Sequence, residues 1–261
     1  MNFQYDLAVN AVKWLAIMSR MTAFMIAMPL FTPKPIPMRC KAAFLAIVSF
    51  LLVPAVPPAW FAHPLLSHPT VWSLTLFLAA EAVLGLVVSL VFFAILEIFK
   101  FGGAAIDREV GFAMAQVMDP VTNLSSTLFS NFLVQIFIMI FLLFNGHQEV
   151  LRLAAFSFRA LPPGTLLLNE GVVGGINGLI ARVLVVGFQL ALPVIAVNLL
   201  VNVAMAILSR VGQEFPVLML SFPLRFGLGF LILIATAPIM LSICRGANEL
   251  LFEWLTGLAG G

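Results

Sequence analysis

From Val71 to Phe99 the chain runs through almost unbroken apolar residues, with Glu81 and Glu97 as its only charges. A stretch of that length and character is what a helix crossing the hydrocarbon of a bilayer needs, about 20 apolar residues. Comparable stretches lie at roughly 11–31, 42–62, 124–144, 172–211 and 215–245. The fourth of these is long enough for two elements, with a kink expected at Pro193. Strict alternation of apolar and polar residues is absent. In lipid each backbone group must be satisfied within its own segment, so the expectation is helix throughout. The whole composition agrees. The chain is 62% hydrophobic and 9% charged, and a soluble fold of this size could not hide so much apolar surface in one core.

Several function classes fall away on the same reading. Thirteen basic and eleven acidic residues nearly cancel to a net charge of +2. No basic run is interleaved with aromatics, so nucleic acid is not an expected partner. Cys40 and Cys244 are too few and too far apart for a disulfide framework or metal site, and both read as reduced structural residues. The first apolar run contains Lys13 and Arg20 and has no basic leader, unlike a cleaved signal peptide. His63, His68 and His147 lack metal-ligand spacing. No phosphate-binding glycine loop, nucleophile elbow or carboxylate cluster is present. The expectation is a protein that is not an enzyme and holds no cofactor.

The connections carry direction. "PLFTPKPIPMRCK" (29–41) has four prolines with Lys34, Arg39 and Lys41, while "PAVPPAWFAHPLLSHP" (54–69) has neither Lys nor Arg. The positive-inside rule then puts the first connection on the cytoplasmic side and the N-terminus outside. Two segments do not read as spans. Residues 102–118 hold Asp107, Arg108 and Glu109 in succession, and 146–161 is amphipathic, with Val150, Leu153, Ala154 and Leu161 near one face.

Charges inside apolar stretches cost about 2.5–3.5 kcal/mol at mid-bilayer. Lys13 and Glu97 lie near span ends and can snorkel. Arg20, Glu81, Arg182 and Arg225 must face a partner, a water-filled path or one another. Asn198, Asn202 and Ser209 share a helix face with Met205, and each buried amide needs a partner. In "NEGVVGGINGLIAR", Gly171 with Gly175 and Gly174 with Gly178 make two overlapping four-residue spacings. Such spacings let helix backbones approach closely, either inside this chain or against another subunit. In "GFAMAQVMDPVTNLSS" (111–126), Pro120 pushes Asp119 out of the helical region, and Asn123 can cap a helix starting at Leu124.

The order of these blocks resembles the FliR family. The resemblance rests on "SRMTAFMIAMPLFTPKPIPMRCKAAFLAIVSFLLVP", "EAVLGLVVSLVFFAI", "GGAAIDREVGFAMAQVMDP", "FLLFNGHQEVLRLAAFSFRALPPG" and "FQLALPVIAVNLLVNVAMAILSRVGQEFPVLMLSFPLRFGLGFLIL", and it covers roughly residues 10–245. It implies an all-α polytopic membrane protein of bent helical hairpins. Residues 1–165 form a FliP-like part, and residues 166–261 a FliQ-like hairpin. It implies a core subunit of the flagellar type III protein export gate in the bacterial inner membrane at the flagellar basal body. Partners would be FliP and FliQ homologues in a closed pore, FlhB and FlhA at its cytoplasmic side, and the exported unfolded flagellar proteins. Arg20, Glu81, Arg182, Asn198, Asn202 and Arg225 would then be subunit or pore contacts. Helices shielded by sibling subunits above the bilayer would also undercut the positive-inside topology. The resemblance further implies that residues 112–125 plug the pore. Phe112 would begin the plug, Met114 and Met118 give a soft seal, Asp119 and Pro120 the turn, and Asn123 the exit. The alternatives are the T-type component of a virulence secretion system and a small-molecule secondary transporter with a midplane site at Arg20, Glu81 or Arg225. No convincing repeat relates the two halves, which counts against the transporter.

Overall fold

The computed structural model describes residues 3–26, 37–56, 70–111, 128–161, 170–211, 217–246 and 253. Those residues are overwhelmingly helical, and no strand occurs among them. In chain order the helices are α1 (Phe3–Ile26), α2 (Met38–Leu52), α3 (Val71–Val110), α4 (Leu128–Leu143), α5 (Gly146–Ala160), α6 (Glu170–Val211), α7 (Val217–Ala235) and α8 (Ala237–Gly246). The protein is therefore an all-α polytopic membrane protein. α3 and residues Val173–Val211 of α6 are each long and apolar enough to cross a bilayer.

The two long helices exceed what hydrocarbon requires. At about 1.5 Å per residue, 40 residues of α3 and 42 of α6 reach roughly 60 Å, twice a core of about 30 Å. The segment 102–118, expected to be separate from the preceding span, turns out to continue it as far as Val110. The pair Gly102–Gly103 does not break the helix, because both glycines lie against neighbouring backbone. Pro193 likewise sits inside one uninterrupted α6, where two elements or a kink were open. The stretch 42–62 behaves otherwise. Its helix stops at Leu52 and tightens into a 3₁₀ turn over Val53–Ala55, since Pro54 has no amide hydrogen to give the α-helical ladder. At about 22 Å, α2 is too short to span alone. The last apolar stretch bends by 48° between Ser221–Ala235 and Ala237–Gly246. Pro238 removes one amide there, and Thr236 N–H is shared between the carbonyls of Ile232 (2.9 Å) and Leu233 (3.2 Å).

The chain forms two compact units. One comprises Met1–Phe93, Asn145–Leu179 and Asn248–Gly261, the other Ala94–Phe144 and Ile180–Ala247. In the first, Ile17, Met21 and Phe24 of α1 and Phe77, Ala80, Leu84 and Val88 of α3 are buried at spacings of three and four residues, the stripe a helix presents to a core. Phe24 meets Phe92 edge-on at 5.7 Å. Ser19 Oγ donates to Leu78 O at 2.7 Å, and Trp14 Nε1 donates to Ala46 O at 3.2 Å, tying α1 to α3 and α2. Val150, Leu153, Ala154 and Leu161 are buried, as the spacing of the amphipathic segment predicts. In the second unit, Phe99 stacks on Phe137 at 4.8 Å, and Phe129 and Phe132 meet Phe226 and Phe230.

Candidate functional site

Arg20 and Glu81 resolve the question of how two charges survive in apolar helices: they face one another. Arg20 Nε donates to Glu81 Oε2 at 2.8 Å, with both side chains almost wholly buried. Nη1 of the same guanidinium donates to the carbonyls of Ser157 and Leu161, each at 3.1 Å. Those carbonyls belong to the C-terminal end of α5, where partial negative charge accumulates and intrahelical donors run out. The ring of Phe158 lies 4.5 Å beneath the guanidinium carbon. Arg20 thus joins α1, α3 and α5 at one point. At Gly85 the approach of α3 to α1 is so close that a Cβ would collide with the Arg20 carbonyl oxygen.

A second buried charge does the matching task at a helix N-terminus. Asp107, 4% exposed on α3, accepts from Phe129 N at Oδ1 (3.0 Å) and from Ser130 N at Oδ2 (3.2 Å). These amides open α4, where orphan N–H groups and the positive end of the helix dipole favour a carboxylate. Ser130 Oγ donates to Lys100 O at 3.1 Å. A Cβ on Gly103 would run into the Ser130 backbone, and one on Gly102 would lie 2.9 Å from Gly187 O. Sequence reading noticed Asp107 only as a break in apolar character. The available signal was the glycine pair four and five residues before it, which allows a neighbouring helix to come within reach.

The third polar group is on the α6–α7 hairpin. Asn198 is 1% exposed, and neither of its amide atoms has a partner among the described residues. Asn202 Oδ1 and Arg225 Nε are buried in the same condition. A Cβ on Gly229 would lie 3.7 Å from Val194 Cγ1.

The remaining expected residues are placed as follows. Arg182 is exposed on α6. Glu97 pairs with Lys100 Nζ at 2.6 Å, both partly exposed. Gly175 is half-buried, while a Cβ on Gly174 or Gly178 would meet nothing within 4 Å. Gly171 lies in α6, with its surroundings outside the described residues. Phe112, Met114, Met118, Asp119, Pro120 and Asn123, and the division expected near residue 165, lie outside the described residues. Cys40 and Cys244 are free, and no group of three metal-ligating side chains occurs among the described residues.

Residues 11–250 match the family described as bacterial export proteins, family 1. The chain belongs to the FliR family of bacterial export proteins. Similar relatives are the flagellar biosynthetic proteins FliR of Escherichia coli K12, 23% identical over 97% of both chains, and of Bacillus subtilis 168, 26% identical over 94% of this chain and 93% of that one. FliR of Pectobacterium carotovorum is 27% identical over 85% of this chain and 82% of its own. The FliR family is one of structural export components and not a known enzyme family. Membership makes this chain a membrane-embedded component of flagellar protein export.

Proposed function

We propose that this FliR-family chain is a core subunit of the flagellar type III protein export gate. With FliP and FliQ homologues it would form the closed pore through which unfolded flagellar proteins leave the cytoplasm. The pore would sit in the inner membrane at the basal body, with FlhB and FlhA at its cytoplasmic entrance. The observation that carries the assembly reading is the uncovered apolar face of α6, with Leu199 and Leu200 about two-thirds exposed. On this reading, residues 1–165 are the FliP-like part and 166–261 the FliQ-like hairpin. Segment 112–125 is the plug, and Gly171, Gly174, Gly175 and Gly178 a close-packing face toward a sibling subunit.

Tagged protein extracted in mild detergent is expected to run as a large complex with two other small helical membrane proteins. Migration alone or as a simple homodimer would overturn the reading and return a secondary transporter to the front. Deleting Met114–Thr122 is expected to leave assembly intact and make the membrane leaky to small solutes. Wild-type permeability in that deletion would remove the plug. Flanking genes for flagellar rather than virulence secretion components are expected.

A further inference from the structure

The end of α3 and the start of α4 are held together by contacts confined to a few residues. Lys100 O accepts from Ser130 Oγ, Gly103 lies directly against the Ser130 backbone, and the Asp107 carboxylate receives the Phe129 and Ser130 amides, one on each oxygen. A glycine is required at 103 for this approach, because its Cβ would stand 2.6 Å from Ser130 N. The carboxylate is required at 107 because two diverging N–H donors need two acceptor oxygens, and a charged acceptor strengthens both bonds in a low-dielectric setting. Asp107 and Phe129 flank segment 112–127. Residues 112–127 are joined to the chain at the end of α3 and the start of α4, and this carboxylate ties those two ends together.

We propose that Asp107 is a positioning residue that sets the start of α4 against the end of α3. It supplies a long-range cap to α4, and so couples the first turn of α4 to the last turn of α3. An asparagine cannot substitute. With the two N–H groups aimed at different oxygens, an amide leaves its NH₂ group, itself a donor, facing one of them. A glutamate carries the right charge on an arm one methylene longer, which the backbone contact at Gly103 leaves no room to absorb. The consequence for sealing rests on the plug reading given above; the clamp itself does not.

Amide hydrogen exchange on the purified, assembled complex tests it, with Asp107→Asn and Asp107→Ala beside the wild type. Exchange at Phe129 and Ser130 is expected to rise by about tenfold or more in both variants. Ile136 and Phe137, in the middle of α4, are expected to keep wild-type protection. Spin labels at Arg108→Cys and Leu128→Cys, in a background with Cys40 and Cys244 replaced by alanine, are expected to give a narrow distance distribution that broadens when Asp107 is changed. Unaltered exchange at Phe129 and Ser130 in both variants would overturn the proposal. So would loss of protection spread evenly along α4, the sign of general unfolding. Small-solute permeability is read in the same samples. Raised exchange with a leak supports clamp and plug together, whereas raised exchange with wild-type permeability supports the clamp and removes the plug.

Discussion

The Arg20–Glu81 pair offers the sharpest test of how this chain carries charge inside apolar helices, through a double-mutant cycle of Arg20→Met, Glu81→Leu and both together. Arg20→Met withdraws the guanidinium from a carboxylate that is 0% exposed. Breaking a buried pair from one side costs about 3–5 kcal/mol. The same change strips the Ser157 and Leu161 carbonyls of a charged donor, about 1.5–3 kcal/mol for each such bond. Glu81→Leu leaves the guanidinium on those two carbonyls and over the Phe158 ring, so it should cost less, roughly 3 kcal/mol. In the double variant no ionised group of the pair remains, and only the carbonyl loss persists. Its cost should fall below the sum of the singles by about 2 kcal/mol or more. The assay is thermal and denaturant unfolding of the chain purified in detergent without partners. The isolated chain matters, because the pair lies within one compact unit and needs no second subunit. Additive single effects, or single effects below about 1 kcal/mol, would refute the buried coupling. A penalty that appears only in the assembled complex would make Arg20 a subunit contact instead.

Perturbations at four further positions follow from the geometry. Gly85→Val sets side-chain atoms against the Arg20 carbonyl and should lower stability by at least about 1–3 kcal/mol. Gly174→Ala, with open space around its Cβ, should hold or raise stability by about 0.5–1 kcal/mol through helix propensity; thermal melts of the two variants compare directly. Asn198→Leu removes two buried atoms that have no partner among the described residues and should stabilise the isolated chain by about 1–3 kcal/mol, read by thermal melts. Asn145 stands at φ 56° immediately before α5. Asn145→Gly should therefore be tolerated and Asn145→Val should cost about 1–2 kcal/mol, both read by melting temperature.

What the sequence discloses depends on the range of the interaction involved. The helical class and the buried face of α5 are local consequences of periodicity and can be read from a few neighbouring residues. The stop at Leu52 was hidden by the apolar run 42–62, although its cause, the missing amide hydrogen of Pro54, is local too. The pairing of Arg20 with Glu81 was legible only as one of three possibilities, since residues 61 positions apart meet through tertiary packing. Asp107 was less legible still. Its partners are backbone amides, which every residue possesses, so no pattern in the side chains announces them. The continuity of α3 through Gly102 and Gly103 was missed for a related reason. Glycine weakens an isolated helix by about 1 kcal/mol, but here its missing Cβ admits two neighbouring backbones, and packing outweighs propensity.

The two buried charges share one physical logic. α4 and α5 are short, 16 and 15 residues, and in a protein with little water inside, their unsatisfied ends are as costly as side-chain charges would be. Arg20 meets the negative end of α5 and Asp107 the positive end of α4, each reaching across from a longer helix. A charge that would be a liability in lipid thereby cancels a helix-end liability that hydration would otherwise have to relieve. The polar atoms of Asn198, Asn202 and Arg225 have no helix end to meet among the described residues. Asn198, enclosed within this chain, gains no compensating contact there, which is why its replacement by leucine should strengthen the isolated chain.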